Sequence, residues 1–173
     1  MATPDFVLEL RRHVGHAPLW MPGTTVVIAR PAPGCAPIDW EQPIAPEAVE
    51  ILCVRRSDNG TWTPVTGIVD PGEEPAVAAA REALEEADVR IDVRRLLSVE
   101  VVGPVTYDNG DVTTYLDVAF VAQWVSGDPT PADGENSETA FFRGDQLPPM
   151  NDRFRRAIVK ALSARPDADF LTA

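Results

Sequence analysis

Residues 67–89 read GIVDPGEEPAVAAAREALEEADV and carry the clearest structural pattern in the chain. Pro75 suits the first turn of a helix, and residues 76–87 are almost all good helix formers. The pattern therefore predicts a glycine-containing loop that carries Glu73, then a helix, and then an exit into extended chain at residues 88–89.

Three glutamates of this helix lie within about one turn of each other. Glu85 and Glu86 follow Glu82 by three and four positions, so a rotation of about 100° per residue places all three carboxylates on one face. Like charges at this spacing repel each other, and a cation would offset the repulsion. The same geometry predicts an apolar stripe that packs into the core from the opposite face, formed by Val77, Ala80 and Leu84.

The carboxylate face has two interpretations. Hard dications such as Mg²⁺ and Mn²⁺ prefer oxygen ligands, and Mg²⁺ typically binds one or two carboxylates together with water and substrate phosphates. The simpler interpretation is a solvated acidic face on which Arg81 and Glu85 form an i,i+4 pair worth a few tenths of a kcal/mol. The three carboxylates alone favour the solvated face, whereas the wider pattern favours the metal site.

The wider pattern resembles the signature of the Nudix hydrolase family. Gly67, Glu73 and the run Arg-Glu-Ala-Leu-Glu-Glu at residues 81–86 agree with that signature at six positions in residue type and spacing. The sequence departs from the family's pattern where the family usually has a glycine, a bulky aliphatic residue and a second glycine, at Thr66, Ala83 and Asp88. These departures affect packing and the end of the helix, and none of them replaces a carboxylate.

The resemblance implies a fold and an activity. The implied fold class is α/β (α+β), with a mixed β-sheet sandwiched between α-helices, and the implied activity is a divalent-metal-dependent hydrolysis of a diphosphate linkage. The substrate would be a nucleoside diphosphate derivative or a nucleoside triphosphate. Arg81 would hold Glu73 or Glu85 in position, although a purely structural salt bridge is equally compatible with the sequence. The implied ligands of Mg²⁺ or Mn²⁺ are Glu82, Glu85, Glu86 and the carbonyl of Gly67.

The general base is harder to place from the sequence. Members of the family take it either from the signature, where Glu82 and Glu85 are available, or from a later loop glutamate. Glu135 and Glu138 lie in the segment ADGENSETAFF, which we expect to form a flexible loop before a short last strand. Glu138 is therefore a second catalytic candidate.

Substrate-binding residues are predicted at two turns. Arg55 and Arg56 follow a strand and precede an Asp-Asn-Gly turn, where guanidinium groups can bind phosphate oxygens. Within the family that the sequence resembles, a proline about fifteen residues after the signature is associated with hydrolysis of ADP-ribose. A tyrosine slightly later is associated with hydrolysis of dinucleoside polyphosphates. Pro104 and Tyr107 lie 15 and 18 positions after Val89, so the two clues point to different substrates.

The length of 173 residues predicts a single domain over residues 1–173. We expect an N-terminal helix over about 4–14, capped by Thr3, and a C-terminal helix over about 151–164. The N-terminal helix should bury the face formed by Phe6, Leu10 and Val14, and the C-terminal helix the face formed by Phe154, Ile158 and Leu162. Strands are predicted near 24–29, 48–54, 62–69, 96–102, 113–125 and 139–142.

Composition limits the partners. A formal net charge of −12 would repel a phosphate backbone, so a nucleic-acid polymer is disfavoured and a small-molecule nucleotide is favoured. No apolar run approaches the roughly 20 residues needed to span a membrane. The charged N-terminal segment does not resemble a secretory signal, which predicts a cytoplasmic protein.

A different class of function stays open. The same fold could serve as a non-catalytic module that senses a nucleotide or ADP-ribose, but such modules usually lack one of the signature glutamates. A plain acidic interaction domain is a further alternative. A homodimer is possible, and the proline-rich loop at residues 31–46 has no assigned role.

Overall fold

A computed structural model describes residues 3–132, 134–170 and 172 of the chain. Within these ranges there are three α-helices, which are α1 (Asp5–Val14), α2 (Pro75–Ala87) and α3 (Asp152–Leu162), and a short 3₁₀ helix at Pro46–Ala48. None of the helices in the described ranges combines the length and the hydropathy needed to cross a lipid bilayer.

The strands form one hydrogen-bonded sheet. They are β1 (Leu19–Pro31), β2 (Val49–Arg56), β3 (Trp62–Thr63), β4 (Val65–Ile68), β5 (Arg90–Thr106), β6 (Val112–Ser126), β7 (Asn136–Arg143) and β8 (Asp169–Phe170). The main path runs β3-β2-β1-β6-β5-β8, with β7 added beside β2 and β4 beside β1. The sheet is mixed, since β1 is parallel to β6 and antiparallel to β2 and β4.

Strand β1 divides one of its edges between two neighbours. Its last residues, from Ala29 to Pro31, pair with β2, whereas the segment from Gly23 to Val26 pairs with β4. The register sets Gly67 opposite Thr24. The start of the signature segment is therefore held on the central strand of the sheet, directly before the loop that leads into α2.

The two faces of the sheet bury separate cores, because successive residues of a strand point to opposite sides. Val26 and Ile28 pack with three alanines of α2, whereas Val27 and Ala29 pack with the apolar face of α3. The predicted mixed sheet between helices is confirmed. The side chains of α3 in this core include Ile158 and Leu162, as the helical spacing predicted.

The prediction for the buried face of α2 was wrong. Val77 and Leu84 are 57% and 40% exposed, and Ala80 is only half-buried. The helix instead turns its small residues toward the sheet, because alanine side chains allow a helix to approach closely. The buried residues of α2 are Ala78, Ala79, Glu82, Ala83, Glu86 and Ala87. Two of the three clustered glutamates therefore lie under the helix and not on its solvated side.

The N-terminal helix also differs from its predicted packing. Val7 is its buried residue, whereas Leu10 and Val14 are 41% and 43% exposed. Pro4, and not Thr3, occupies the N-cap position. The helix ends at Gly15, whose φ of 58° is accessible to glycine without steric cost.

Two strand predictions need correction. Strand β7 begins at Asn136, so the polar segment before it ends earlier than its composition suggested. It is not the last strand either, because β8 follows α3 and pairs with Ser98 and Val99 of β5. A two-residue strand is too short to produce an alternating pattern, and this explains why the sequence did not reveal it.

Candidate active site

Gly67 and Glu82 are the closest pair in the signature segment. Gly67 lies in β4, and Glu82 comes from the second turn of α2 above it. A Cβ atom at position 67 would lie 2.1 Å from both the Cδ and Oε1 atoms of Glu82. Glycine is needed here because the glutamate side chain occupies the space of any larger residue.

The carboxylate of Glu82 is fully buried, and its two oxygens differ. Oε1 accepts a hydrogen bond of 2.9 Å from Nη1 of Arg81. Oε2 is buried and has no hydrogen-bond partner among the described residues. Burial raises the pKa of Glu82 to about 7, although the nearby Arg81 acts in the opposite direction. A buried oxygen without a partner is costly, so a ligand at this atom would offset a real penalty.

Arg81 connects the loop to the helix. Its Nε and Nη2 atoms donate to the two carboxylate oxygens of Glu73 at 3.0 and 2.9 Å, and Nη2 also donates to the carbonyl of Ile68 at 3.0 Å. Its Nη1 atom donates to Glu85 at 3.0 Å. These bonds hold the pKa of Glu73 below its usual value. The sequence offered Glu73 or Glu85 as the partner of Arg81, and the structure pairs Arg81 with both.

The other two glutamates of α2 occupy different environments. Glu85 keeps 48% of its side chain exposed. Glu86 is 2% exposed, and its Oε2 accepts a hydrogen bond of 3.1 Å from the buried amide of Asn136. The sequence analysis missed Asn136. No local pattern could have identified it, because it lies in β7, far from α2 along the chain.

The glutamates of α2 offer oxygen donors to a hard dication. In the described part of the chain, no three Asp, Glu, His or Cys side chains converge on one point. The guanidinium of Arg81 lies between Glu82 and Glu85 and partly neutralises both. The residues nevertheless fit such an ion, because carboxylate oxygens are its preferred donors and Oε2 of Glu82 has no hydrogen-bond partner among the residues that the structure describes.

Glu138 does not lie in a loop, so that part of its prediction was wrong. It is a residue of β7 and lies opposite Arg55 of β2. Its carboxylate accepts a hydrogen bond from Nη1 of Arg55. The segment SETAFF is rich in β-branched and aromatic residues, which favour a strand over a flexible loop. Glu135 precedes the strand, and its carbonyl accepts a hydrogen bond from the amide of Ser57.

The two predicted phosphate-binding arginines are both paired within the chain. Arg55 binds Glu138 and the carbonyl of Gly60, and Arg56 binds the carboxylate of Asp58. The hydrogen bond to Asp58 raises the pKa of Arg56, and the negative charge of Glu86 adds to the effect. Arg56 therefore interacts electrostatically with one of the predicted metal ligands.

Tyr107 lies in the turn between β5 and β6. Its hydroxyl group is 2.6 Å from that of Tyr115, whose pKa is raised mainly by burial. Tyr115 in turn packs against Gly23 of β1, at 3.4 Å from the position of a Cβ there. Pro104, the competing substrate clue, lies in β5 where the register with β6 shifts between Val102 and Val105.

A cleft opens between α1 and the signature segment. Its volume is about 480 Å³, within the range of roughly 300–1,000 Å³ that is typical of small-molecule sites. The sequence did not predict that α1 would form one of its walls, since the helix was expected only to pack on the core. The lining residues are Pro4, Asp5, Phe6, Asp70, Pro71, Arg81 and Glu85.

A protein-family model and the most similar sequences indicate the same family. The NUDIX domain model matches residues 43–162. A relative named NAD-capped RNA hydrolase NudC from Deinococcus radiodurans is 31% identical over 129 residues, which are 71% of this chain and 43% of that protein. A NudC from Edwardsiella ictaluri is 33% identical over 122 residues, covering 62% of this chain and 44% of the relative. The chain thus spans less than half the length of these relatives.

Solved structures agree in fold. An ADP-ribose pyrophosphatase from Streptococcus suis superposes with a TM-score of 0.57 at 19% identity, over 86% of this chain and 96% of that chain. A Nudix hydrolase from M. smegmatis gives a TM-score of 0.58 at 21% identity, over 81% and 83% of the two chains. Because the domain model covers more than half of the sequence and the fold agrees, the chain belongs to the Nudix hydrolase family.

Proposed function

We propose that the protein hydrolyses a diphosphate linkage in a nucleoside diphosphate derivative or a nucleoside triphosphate, using Mg²⁺ or Mn²⁺. The observation that carries this proposal is the buried carboxylate of Glu82, whose Oε2 has no partner among the described residues and which lies against the side-chain-free Gly67. A purely solvated acidic face would not bury this group.

The names of the relatives support the reaction class. A NAD-capped RNA hydrolase and an ADP-ribose pyrophosphatase are both named for substrates in which a diphosphate joins two groups. The net charge of −12 favours a small nucleotide over an RNA chain as the substrate of this protein. NAD-capped RNA therefore belongs in the assay as the competing substrate.

The metal would be held by the buried side of α2. Glu82, Glu86 and the carbonyl of Gly67 would bind the metal from the buried side of the helix. Glu85 would face the metal from the exposed side. A bound dication lowers the pKa of water and neutralises charge on phosphate oxygens. Arg81 keeps the loop and helix in register through Glu73 and Ile68. We assign the uptake of the water proton to Glu85, because it borders the cleft and stays half-exposed.

Three other predicted residues receive roles from their positions. Glu138 is bound to Arg55 and, unlike Glu85, does not line the cleft, so we propose that it positions this arginine and does not act as the base. Arg56 would contact substrate phosphates after exchanging its bond to Asp58, and Tyr107 would contribute to substrate binding from the turn between β5 and β6. These assignments rest on geometry and charge.

The test is product release from a substrate panel. ADP-ribose, a dinucleoside polyphosphate, a nucleotide sugar, a nucleoside triphosphate and NAD-capped RNA are incubated with the protein and Mg²⁺ or Mn²⁺. We expect release of a phosphomonoester from a small nucleotide, and a fall in turnover of at least about 100-fold for Glu85→Gln, since general acid–base groups contribute about 10²–10⁴-fold. Glu74→Gln is the matched control, because Glu74 is exposed and precedes the same helix.

The competing function is a sensing module. It predicts tight nucleotide binding without product release from any member of the panel, in the presence of either metal. That result would overturn the proposed hydrolase. The presence of all four acidic residues of the signature favours the enzyme.

Three further expectations stay predictions. They are a single domain over residues 1–173, a cytoplasmic location and a homodimer. A role in controlling nucleotide pools would agree with the cytoplasm, and size-exclusion chromatography with light scattering would establish the oligomeric state.

A further inference from the structure

The cleft beside the signature segment is lined by both charged and apolar residues. Arg81 and Glu85, which belong to the proposed catalytic machinery, line it together with Asp70 and Pro71 of the loop before α2. From the N-terminal side, Pro4, Asp5 and the half-buried ring of Phe6 line the same cleft. Apolar groups that share a cleft with charged ones suit a molecule with a charged part and an apolar ring.

Charge determines which part of the molecule enters on the α1 side. Asp5, Asp70 and Glu85 contribute negative charge to the cleft, and Arg81 contributes the positive charge. An unaccompanied phosphate is repelled by this excess of carboxylates. An uncharged, ring-bearing end of a nucleotide is therefore favoured beside α1 over a phosphate group.

The α1 wall is fixed in place. Arg11 donates hydrogen bonds to the carbonyls of Gly15, Ala17 and Val112 and to the hydroxyl of Thr113, which tie the end of α1 to β6. Val7, the residue directly after Phe6, is buried and anchors the same turn of α1. Both α1 and Phe6 precede residues 43–162, the range that the NUDIX domain model matches.

From these observations we infer that Phe6 is a specificity-determining residue that stacks on the nucleobase of the bound nucleotide. The inference rests on the proposed function for the identity of the cleft. A nucleobase fits better than a sugar because a sugar ring needs several hydrogen-bonding groups, and α1 offers only Asp5 there. The aromatic ring of Phe6 can stack on a planar base, and Pro4 and Pro71 add apolar surface to the same cleft.

The test compares two probes that differ only in the base. Adenosine monophosphate and ribose 5-phosphate are titrated against the wild-type protein, Phe6→Ala, Phe6→Leu and Phe6→Trp, each with Mg²⁺ present. We expect the wild type to bind the base-bearing probe more tightly by about tenfold, since stacking one base contributes about 1–3 kcal/mol. Both non-aromatic variants should lose this preference, and Phe6→Trp should keep it.

Leu8→Ala is the matched control, since Leu8 is an exposed residue of the same helix and does not line the cleft. It should leave the preference unchanged. Phe6→Leu keeps an apolar side chain at the position, so a loss of preference with an unchanged melting temperature reports the aromatic face and not a misfolded helix. An equal loss of affinity for both probes would overturn the inference.

Turnover separates the two proposals. For a substrate that the wild type hydrolyses, Phe6→Ala should raise KM about tenfold and leave kcat within about twofold, as expected when binding of a remote group is removed. If the wild type hydrolyses no substrate, but its preference for the base-bearing probe is lost in Phe6→Ala, the proposed function is rejected and the role of Phe6 is retained. An active wild type whose base preference is unchanged in Phe6→Ala would reject the role of Phe6 alone.

Discussion

The carboxylate of Glu82 fills the space that a side chain at residue 67 would need. An added Cβ at Gly67 would lie 2.1 Å from it, whereas a Cβ at Gly23, on the strand paired with β4, would have its nearest neighbour at 3.4 Å. Two glycines in paired strands therefore differ sharply in their tolerance of a methyl group. The difference arises from the buried glutamate and not from the backbone.

Gly67→Ala is expected to displace Glu82. Overpacking of this kind costs about 1–3 kcal/mol of the free energy of unfolding, and loss of the proposed metal ligand should also reduce turnover by at least about tenfold. Urea denaturation and product release measure the two effects. Gly23→Ala is the control, with a change in stability below about 1 kcal/mol and normal turnover. Equal behaviour of the two variants would contradict the proposed packing.

Glu82 should also make the stability of the metal-free protein depend on pH. Burial raises its pKa from 4.5 to about 7, so between these pH values the folded state holds a proton that the unfolded state has released. The free energy of unfolding therefore falls as the pH rises through this window, by about 3 kcal/mol in total at 1.36 kcal/mol per pKa unit. Thermal melts with EDTA from pH 4 to pH 8 measure the slope.

Glu82→Gln tests the source of this slope, because an amide does not titrate. The variant should show a flatter dependence on pH, whereas the exposed Glu74→Gln should keep the wild-type slope. A wild-type slope in Glu82→Gln would show that another group is responsible. Mn²⁺ should flatten the wild-type curve as well, because a bound cation keeps the carboxylate ionised.

Local sequence patterns predicted the parts of the site that are local. The spacing of residues 67–89 predicted the helix α2, its exit at Asp88 and the grouping of Arg81 with the glutamates. The burial of Glu82 was not predictable from hydrophobic periodicity, because that method assigns the large apolar Val77 to the core and does not register the smaller alanines.

Long-range partners were outside the reach of such patterns. Asn136 meets Glu86, and Glu138 meets Arg55, only because β7 joins the sheet beside β2. The position of Phe6 likewise depends on how Arg11 ties α1 to β6. Sheet order determines these contacts, and the local patterns of a single sequence do not specify it.

Arg81→Lys should impair catalysis through positioning. Lysine cannot reproduce the two parallel bonds that the guanidinium makes with Glu73, nor the simultaneous bond to the carbonyl of Ile68. We expect kcat to fall by about 10–100-fold, the range found when groups that orient metal ligands are removed. Arg94→Lys is the control, since Arg94 pairs only with the exposed Asp92 in the described contacts. Unchanged kcat in Arg81→Lys would limit the residue to a structural role.

The opposite face of the sheet contains a buried ion pair that should affect stability alone. Asp117 accepts hydrogen bonds from Thr25 at 2.9 and 3.0 Å and from Arg153 at 3.2 Å. Asp117→Ala leaves Arg153 partly buried without its partner, which should cost about 3 kcal/mol. Chemical denaturation measures this loss, and kcat at a temperature well below melting should stay normal.

Asp145→Ala is the matched control for that experiment. Asp145 pairs with Arg143, but both side chains are largely exposed, so the expected loss is below about 0.5 kcal/mol. Similar losses for the two aspartates would contradict the difference in burial. A fall in kcat for Asp117→Ala would connect this cluster to the site.

Asp88 occupies the position at which the family usually has glycine, and its backbone explains why that residue type matters. Its φ of 52° and ψ of 38° lie in the left-handed region, where a Cβ atom is strained and Asp is tolerated better than most residues. Asp88→Ala should therefore lower the free energy of unfolding by about 1 kcal/mol, whereas Asp88→Gly should equal or exceed the wild type. Urea denaturation of both variants makes the comparison. If alanine matched glycine at this position, the strain would be too small to account for the family's preference, and the aspartate side chain would need another role.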